Sequence, residues 1–152
     1  MCSKAIAIIK GPYVYGVIKF HQCIENRGTN VYFDLYGMKP NKKMACHIHE
    51  FGDCSAPDAM SAGGHFNPAH TDHGSLNTNP HHAGDFGNLI VNNNAAGVVH
   101  EAFTSHSISF SGDNAILGRG LIVHANADDL HSQPAGNSGS RIACGIIGIM
   151  KP

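Results

Sequence analysis

No 3.6-residue apolar periodicity persists over a useful window of this chain. Short β-type runs bounded by Gly, Asn, Asp and Pro appear instead. They predict strands at residues 4–10, 13–22, 30–36, 44–49, 88–91, 97–103, 107–110, 115–124 and 141–150. Turn signals separate several of them: Arg27-Gly28, Asn94-Ala95-Ala96-Gly97 and Ser111-Gly112-Asp113-Asn114. Many short strands at this spacing favour an all-β sandwich or barrel. Residues 50–86 and 125–140 do not read as strands. Structureless connections of that length are uncommon in a compact domain unless they are functional or held by something.

Composition gives the motive for asking what holds them. The chain has 152 residues, most simply one domain over 1–152. It carries 12 His and 18 Gly against 14% charged residues, with a formal charge of −1. Histidine surplus without net charge points to metal ligation or proton handling. The near-neutral balance gives no reason to expect nucleic acid or a membrane as partner. No apolar run reaches the ~18 residues of a transmembrane helix. The start, Met1-Cys2-Ser3-Lys4-Ala5-Ile6, lacks signal-peptide features, so the expected address is cytoplasmic. Five cysteines leave at least one thiol unpaired within the chain.

Candidate ligands concentrate where the chain is least regular. His47-Ile48-His49 lies in an expected strand, where i and i+2 share a face and Cys46 and Ile48 turn the other way, into the core. The first long loop adds His65, His73, His82 and Asp85, three imidazoles and a carboxylate of the kind that close a four-coordinate zinc site. His124 ends the apolar run Leu121-Ile122-Val123, and joining it to His47 and His49 requires two strand ends to meet. His21, His70, His81, His100, His106 and His131 read as ordinary polar residues. Spacing alone supports a zinc protein with room for a second metal.

Five separated segments resemble the copper–zinc superoxide dismutase family. His47-Ile48-His49-Glu50-Phe51-Gly52-Asp53 is similar to HVHEFGD, and Ser61-Ala62-Gly63-Gly64-His65-Phe66-Asn67-Pro68 to SAGxHFNP. His82-Ala83-Gly84-Asp85-Phe86-Gly87-Asn88 is similar to HVGDLGN. Gly118-Arg119-Gly120-Leu121-Ile122-Val123-His124, with Ala127-Asp128-Asp129-Leu130, resembles GRxLVVH and the ADDL after it. Gly136-Asn137-Ser138-Gly139-Ser140-Arg141-Ile142-Ala143-Cys144-Gly145 resembles GNAGxRxACG.

The resemblance implies a Greek-key β-barrel, a flattened sandwich with a long metal-binding loop, usually assembled as a homodimer. It implies copper on His47, His49, His65 and His124, and zinc on His65, His73, His82 and Asp85, with His65 bridging. Asp128 matches a carboxylate linking a copper histidine to a zinc histidine, and Arg141 the arginine beside the copper. The implied reaction is superoxide dismutation to O2 and H2O2, in which the His65 bridge opens on the copper side and carries a proton. The implied dimer face uses Ile6, Ile8, Phe51, Gly52, Leu117, Ile146 and Ile149.

The chain also departs from the pattern. The family's first disulfide cysteine, six residues before the bridging His, is Ala59 here, while Cys54 stands earlier and Cys144 holds the second position. A rerouted Cys54–Cys144 disulfide is the preferred expectation, a reduced pair the alternative, and Arg141 geometry depends on the outcome. Cys46 and Ala45 replace an aromatic and a Gly. Ser140 and Ile142 flank Arg141 where prolines accompany dependence on a copper chaperone, so such a chaperone is expected to be dispensable. The shortened electrostatic loop has no Lys, Arg, Asp or Glu from 131 to 140. Two other classes share some of these features. A metallochaperone's dismutase-like domain would bring a thiol-rich module, but this chain has no CxxC. A dead homologue would lack a ligand or the arginine, and none is missing.

Overall fold

The computed structural model describes every residue except Met1, Ile24, Asn26 and Pro152. Among the described residues the strands are β1 (Cys2–Lys10), β2 (Tyr15–Cys23), β3 (Thr29–Tyr36), β4 (Lys43–His49), β5 (Asp85–Ile90), β6 (Val99–Ser105), β7 (Gly120–His124) and β8 (Arg141–Ile149). They form one antiparallel sheet in the order β5-β4-β7-β8-β1-β2-β3-β6, and its edges β5 and β6 approach each other. That order, with β3 pairing β6 and β4 pairing β7, is a nearly closed Greek-key barrel. No helix among the described residues is long and apolar enough to cross a membrane.

Alternation along the strands fills the interior. Ala5, Ala7 and Ile9 of β1, Ile18 and Phe20 of β2, and Val31, Phe33 and Leu35 of β3 are buried in the main core. Each isoleucine or phenylalanine so buried contributes roughly 1.5–3 kcal/mol of transfer free energy. From β4 and β7 the core takes Cys46, Ile48, Leu121 and Val123. Their neighbours His47, His49, Ile122 and His124 therefore project from the opposite face, yet all are buried. What covers them is the β4–β5 connection, which packs Ala59 and Ala62 against Ile122 and Cys144 as a small second core.

Residues 107–110 do not form the expected strand. Ser109 makes only an isolated bridge to Ala115, and bonds from Ser109 N to Asn114 O (3.0 Å) and Ala115 N to Gly112 O (3.1 Å) close the segment into a turn. Ile108 and Ile116 sink into the core from this loop, which gave it a strand-like apolar pattern. For the same reason the strand expected at 115–124 is confined to Gly120–His124. The strand expected at 88–91 instead starts at Asp85.

Candidate metal centre

The long loop reaches the histidine face by running back along β4. Glu50 N donates to Gly64 O (2.9 Å) and Phe66 N to Ile48 O (2.8 Å), which sets His65 in an antiparallel bridge with His49. Gly84 then closes on the same stretch, with Ile48 N donating to its carbonyl (3.0 Å). A Cβ on Gly84 would lie 2.3 Å from Ile48 O, so only glycine fits there. Across β4 and β5, His47 stands opposite Asp85 after a register shift. Across β7 and β8, His124 stands opposite Arg141 after another.

Two donor clusters result, and they share one residue. His47, His49, His65 and His124 form the first, and His65, His73, His82 and Asp85 the second, each with ligand atoms within 4.8 Å of one another. In the second, Asp85 Oδ1 lies 2.9 Å from His65 Nδ1, 3.0 Å from His73 Nδ1 and 3.3 Å from His82 Nδ1, and the last two-ring contact, His82 Nδ1 to His65 Nδ1, is 3.3 Å. A tetrahedral zinc ion with bonds of roughly 2.0–2.1 Å has ligand edges of about 3.3 Å. The spacing fits.

Hydrogen bonding decides which nitrogen each first-cluster ring offers. His49 Nδ1 donates to Gly63 O (3.0 Å) and His124 Nδ1 to Gly139 O (3.4 Å), so both Nε2 atoms present lone pairs, 3.3 Å apart. His47 Nε2 donates to Asp128 Oδ2 (2.7 Å), leaving Nδ1 buried without a partner. His65 turns Nδ1 to the second cluster, and its Nε2 is likewise buried and unpartnered. Four imidazole lone pairs converge with no protein donor to satisfy them, an arrangement that a bound cation completes. An all-imidazole set suits copper.

Asp128 spans the two clusters, accepting from His47 through Oδ2 and from His73 Nε2 through Oδ1 (2.9 Å). Burial opposes ionisation of Asp85, but bonds from His65, His73 and His82 override it and hold the carboxyl far below its usual range. Burial likewise lowers His65 to about 4 and His124 to about 3, and the Arg141 charge adds to the effect at His124. At His73 burial is outweighed by Asp128 and Asp85, and the imidazole rises to about 9. His21, His70, His81, His100, His106 and His131 join neither cluster among the described residues.

A family model, copper/zinc superoxide dismutase, matches residues 14–147. The chain belongs to the copper/zinc superoxide dismutase family. Among its relatives, "Superoxide dismutase [Cu-Zn]" of Saccharomyces cerevisiae is 39% identical, with 96% of this chain and 97% of the relative covered. "Superoxide dismutase [Cu-Zn] 4" of Dictyostelium discoideum is 43% identical, covering 95% and 97%. The crystal structure of the clock protein EA4 superimposes with a TM-score of 0.89 at 35% identity, covering 97% of this chain and 95% of that one.

Cysteine pairing in this superoxide dismutase family member matches the preferred expectation at one bond and goes beyond it at another. Cys54 and Cys144 are bonded, joining the long loop to β8. A second disulfide, Cys2–Cys23, ties the ends of β1 and β2, so only Cys46 is free, in place of the three thiols that a single disulfide would leave. Sequence reasoning missed it. The signal was the hairpin: once Lys10 faces Tyr15, counting outward sets Cys2 opposite Cys23.

Proposed function

We propose that residues 1–152 act as one domain that dismutes superoxide to O2 and H2O2, with copper on His47, His49, His65 and His124 and zinc on His65, His73, His82 and Asp85. One observation carries the reading: His65 belongs to both clusters through opposite ring nitrogens, Nδ1 toward Asp85 and Nε2 toward the unpartnered lone pairs. Copper held by the first cluster would supply a one-electron redox couple, which redox-inert zinc would not.

The side chains do the rest. His65 Nε2, buried without a partner, can hold one proton and give it to a superoxide being reduced, the second proton of H2O2 coming from solvent. His73, His82 and Asp85 keep the other face of that imidazole fixed. Asp128 orients His47 and His73 together. Arg141, opposite His124, offers a fixed positive charge to a small anion. The measurement that tests the reading is superoxide consumption by protein loaded with both metals. Turnover lost in His65→Ala, with copper still bound, is expected, and wild-type turnover in that variant would refute the bridge.

The same reading includes a homodimer. Ile8, Phe51, Ile146 and Ile149 are exposed, with Ile6, Gly52 and Leu117 partly so, an apolar set that a second copy would cover. Light scattering should give twice the 16.1 kDa of the chain at micromolar concentration, and a monomer would remove this part. Copper loading without a dedicated chaperone, suggested by Ser140 and Ile142, is tested by expression in cells lacking one.

A further inference from the structure

The β7–β8 connection is short and uncharged from 131 to 140, yet it holds the second cluster from two sides. Gly136 lies directly against His73 and the carboxylate that aims it: a Cβ there would stand 1.8 Å from Asp128 Oδ1 and 2.7 Å from His73 Nε2. Its φ of 65° also suits glycine. Gln133 reaches across to the β4–β5 connection. His73 N donates to Gln133 Oε1 at 2.7 Å, and Gln133 Nε2 donates to His73 O at 3.0 Å and to His131 O at 3.0 Å.

We infer that Gln133 is the positioning residue for His73, clamping the backbone of a zinc ligand with its side-chain amide. Residue 73 sits in a stretch without regular structure, so no ladder fixes its peptide groups. Gln133 takes the place of a neighbouring strand, using one acceptor and both donors at once. Glutamate keeps the acceptor and loses both donors, and asparagine is one methylene too short. Asp129 stiffens the loop that carries Gln133, accepting from His131 N (3.1 Å), Ser132 N (2.8 Å) and Asn137 Nδ2 (3.1 Å). The imidazole of His73 is aimed by Asp128, its main chain by Gln133. Both act on the residue whose Nδ1 lies 3.0 Å from Asp85 Oδ1, and Gly74 N adds a bond to Asp85 Oδ2 at 3.2 Å.

The inference rests on the second cluster holding zinc, and its test separates the two. The fully metallated protein is challenged with excess 4-(2-pyridylazo)resorcinol and zinc release is timed. Gln133→Ala should release zinc about tenfold faster, in line with the loss of an outer hydrogen-bond partner. Gln133→Glu should fall between it and wild type. Cobalt(II) in the zinc position should show altered visible bands in Gln133→Ala. The control is Val31→Ala, a core truncation in β3. Release no faster in Gln133→Ala than in wild type or in Val31→Ala overturns the clamp. A wild-type protein that takes up no zinc overturns the metal reading itself, and the clamp with it.

Discussion

Arg141 Nη1 donates a hydrogen bond to the carbonyl oxygen of Ala59, at 2.9 Å. Ala59 occupies the place of the family's first disulfide cysteine, and it packs with Ala62, Ile122 and Cys144 beside Cys54. The Cys54–Cys144 crosslink thus ties down the loop whose Ala59 carbonyl holds the arginine. Opening the disulfide should therefore act on both stability and catalysis. Closing a loop with a sequence separation of 90 stabilises by at most about 4–5 kcal/mol in the chain-entropy account. Cys54→Ser with Cys144→Ser is expected to lower the denaturation midpoint and to slow superoxide turnover while copper stays bound. Unchanged turnover would mean that Arg141 is held without the loop.

Thiol chemistry checks the pairing itself. Denatured but unreduced protein should yield one reactive thiol, Cys46, which lies in the core, where burial pushes the thiol up from its ordinary value and shields it while the fold is intact. Three thiols would contradict the Cys2–Cys23 bond, and five would contradict both.

The titration of His73 gives a pH prediction with a definite sign. Its imidazole, raised to about 9 against an ordinary 6.5, stabilises the metal-free fold fully below 6.5. That contribution is lost as pH rises through 9. His65 and His124, lowered to about 4 and 3, act oppositely, withdrawing stability as pH falls from 6.5 through those values. At pH 7 His73 therefore carries a proton that zinc must displace. Calorimetry in two buffers of different ionisation heat should find close to one proton released per zinc, and none above pH 10. Zinc uptake at pH 7 with no proton release would contradict the carboxylate pairing of His73.

Substrate guidance should depend on few charges. With no Lys, Arg, Asp or Glu from 131 to 140, Arg141 at the start of β8 is the main cation beside that loop, and His131 adds a second when protonated. Clustered charge raises association rates and fades with salt. The rate should fall only shallowly with ionic strength, and Arg141→Ala should lower it about tenfold while flattening the remaining slope. A steep slope that survives Arg141→Ala would contradict this.

How much of this could be read in the sequence depended on how local each signal was. His47 and His49 were legible because two residues on one strand must share a face, and Cys46 and Ile48 turned inward as alternation requires. Many short strands pointed to a sandwich or a barrel, and the Greek-key barrel came through the resemblance. Its pairing of β4 with β7, which carries His124 to His47, is long-range and came only through the resemblance. The 107–110 segment misled because Ile108 enters the core from a turn, and burial without a ladder leaves the same apolar trace as a strand. Gln133 left no trace, since a side-chain amide binding a distant backbone has no periodicity.

The proposed activity requires His65 to join two ions. Anomalous diffraction from crystals of the metallated protein, collected on both sides of the copper and zinc absorption edges, tests this most directly. The predicted result is a copper peak among His47 Nδ1, His49 Nε2, His65 Nε2 and His124 Nε2, and a zinc peak among His65 Nδ1, His73 Nδ1, His82 Nδ1 and Asp85 Oδ1. A single peak, or either ion remote from His65, would contradict it.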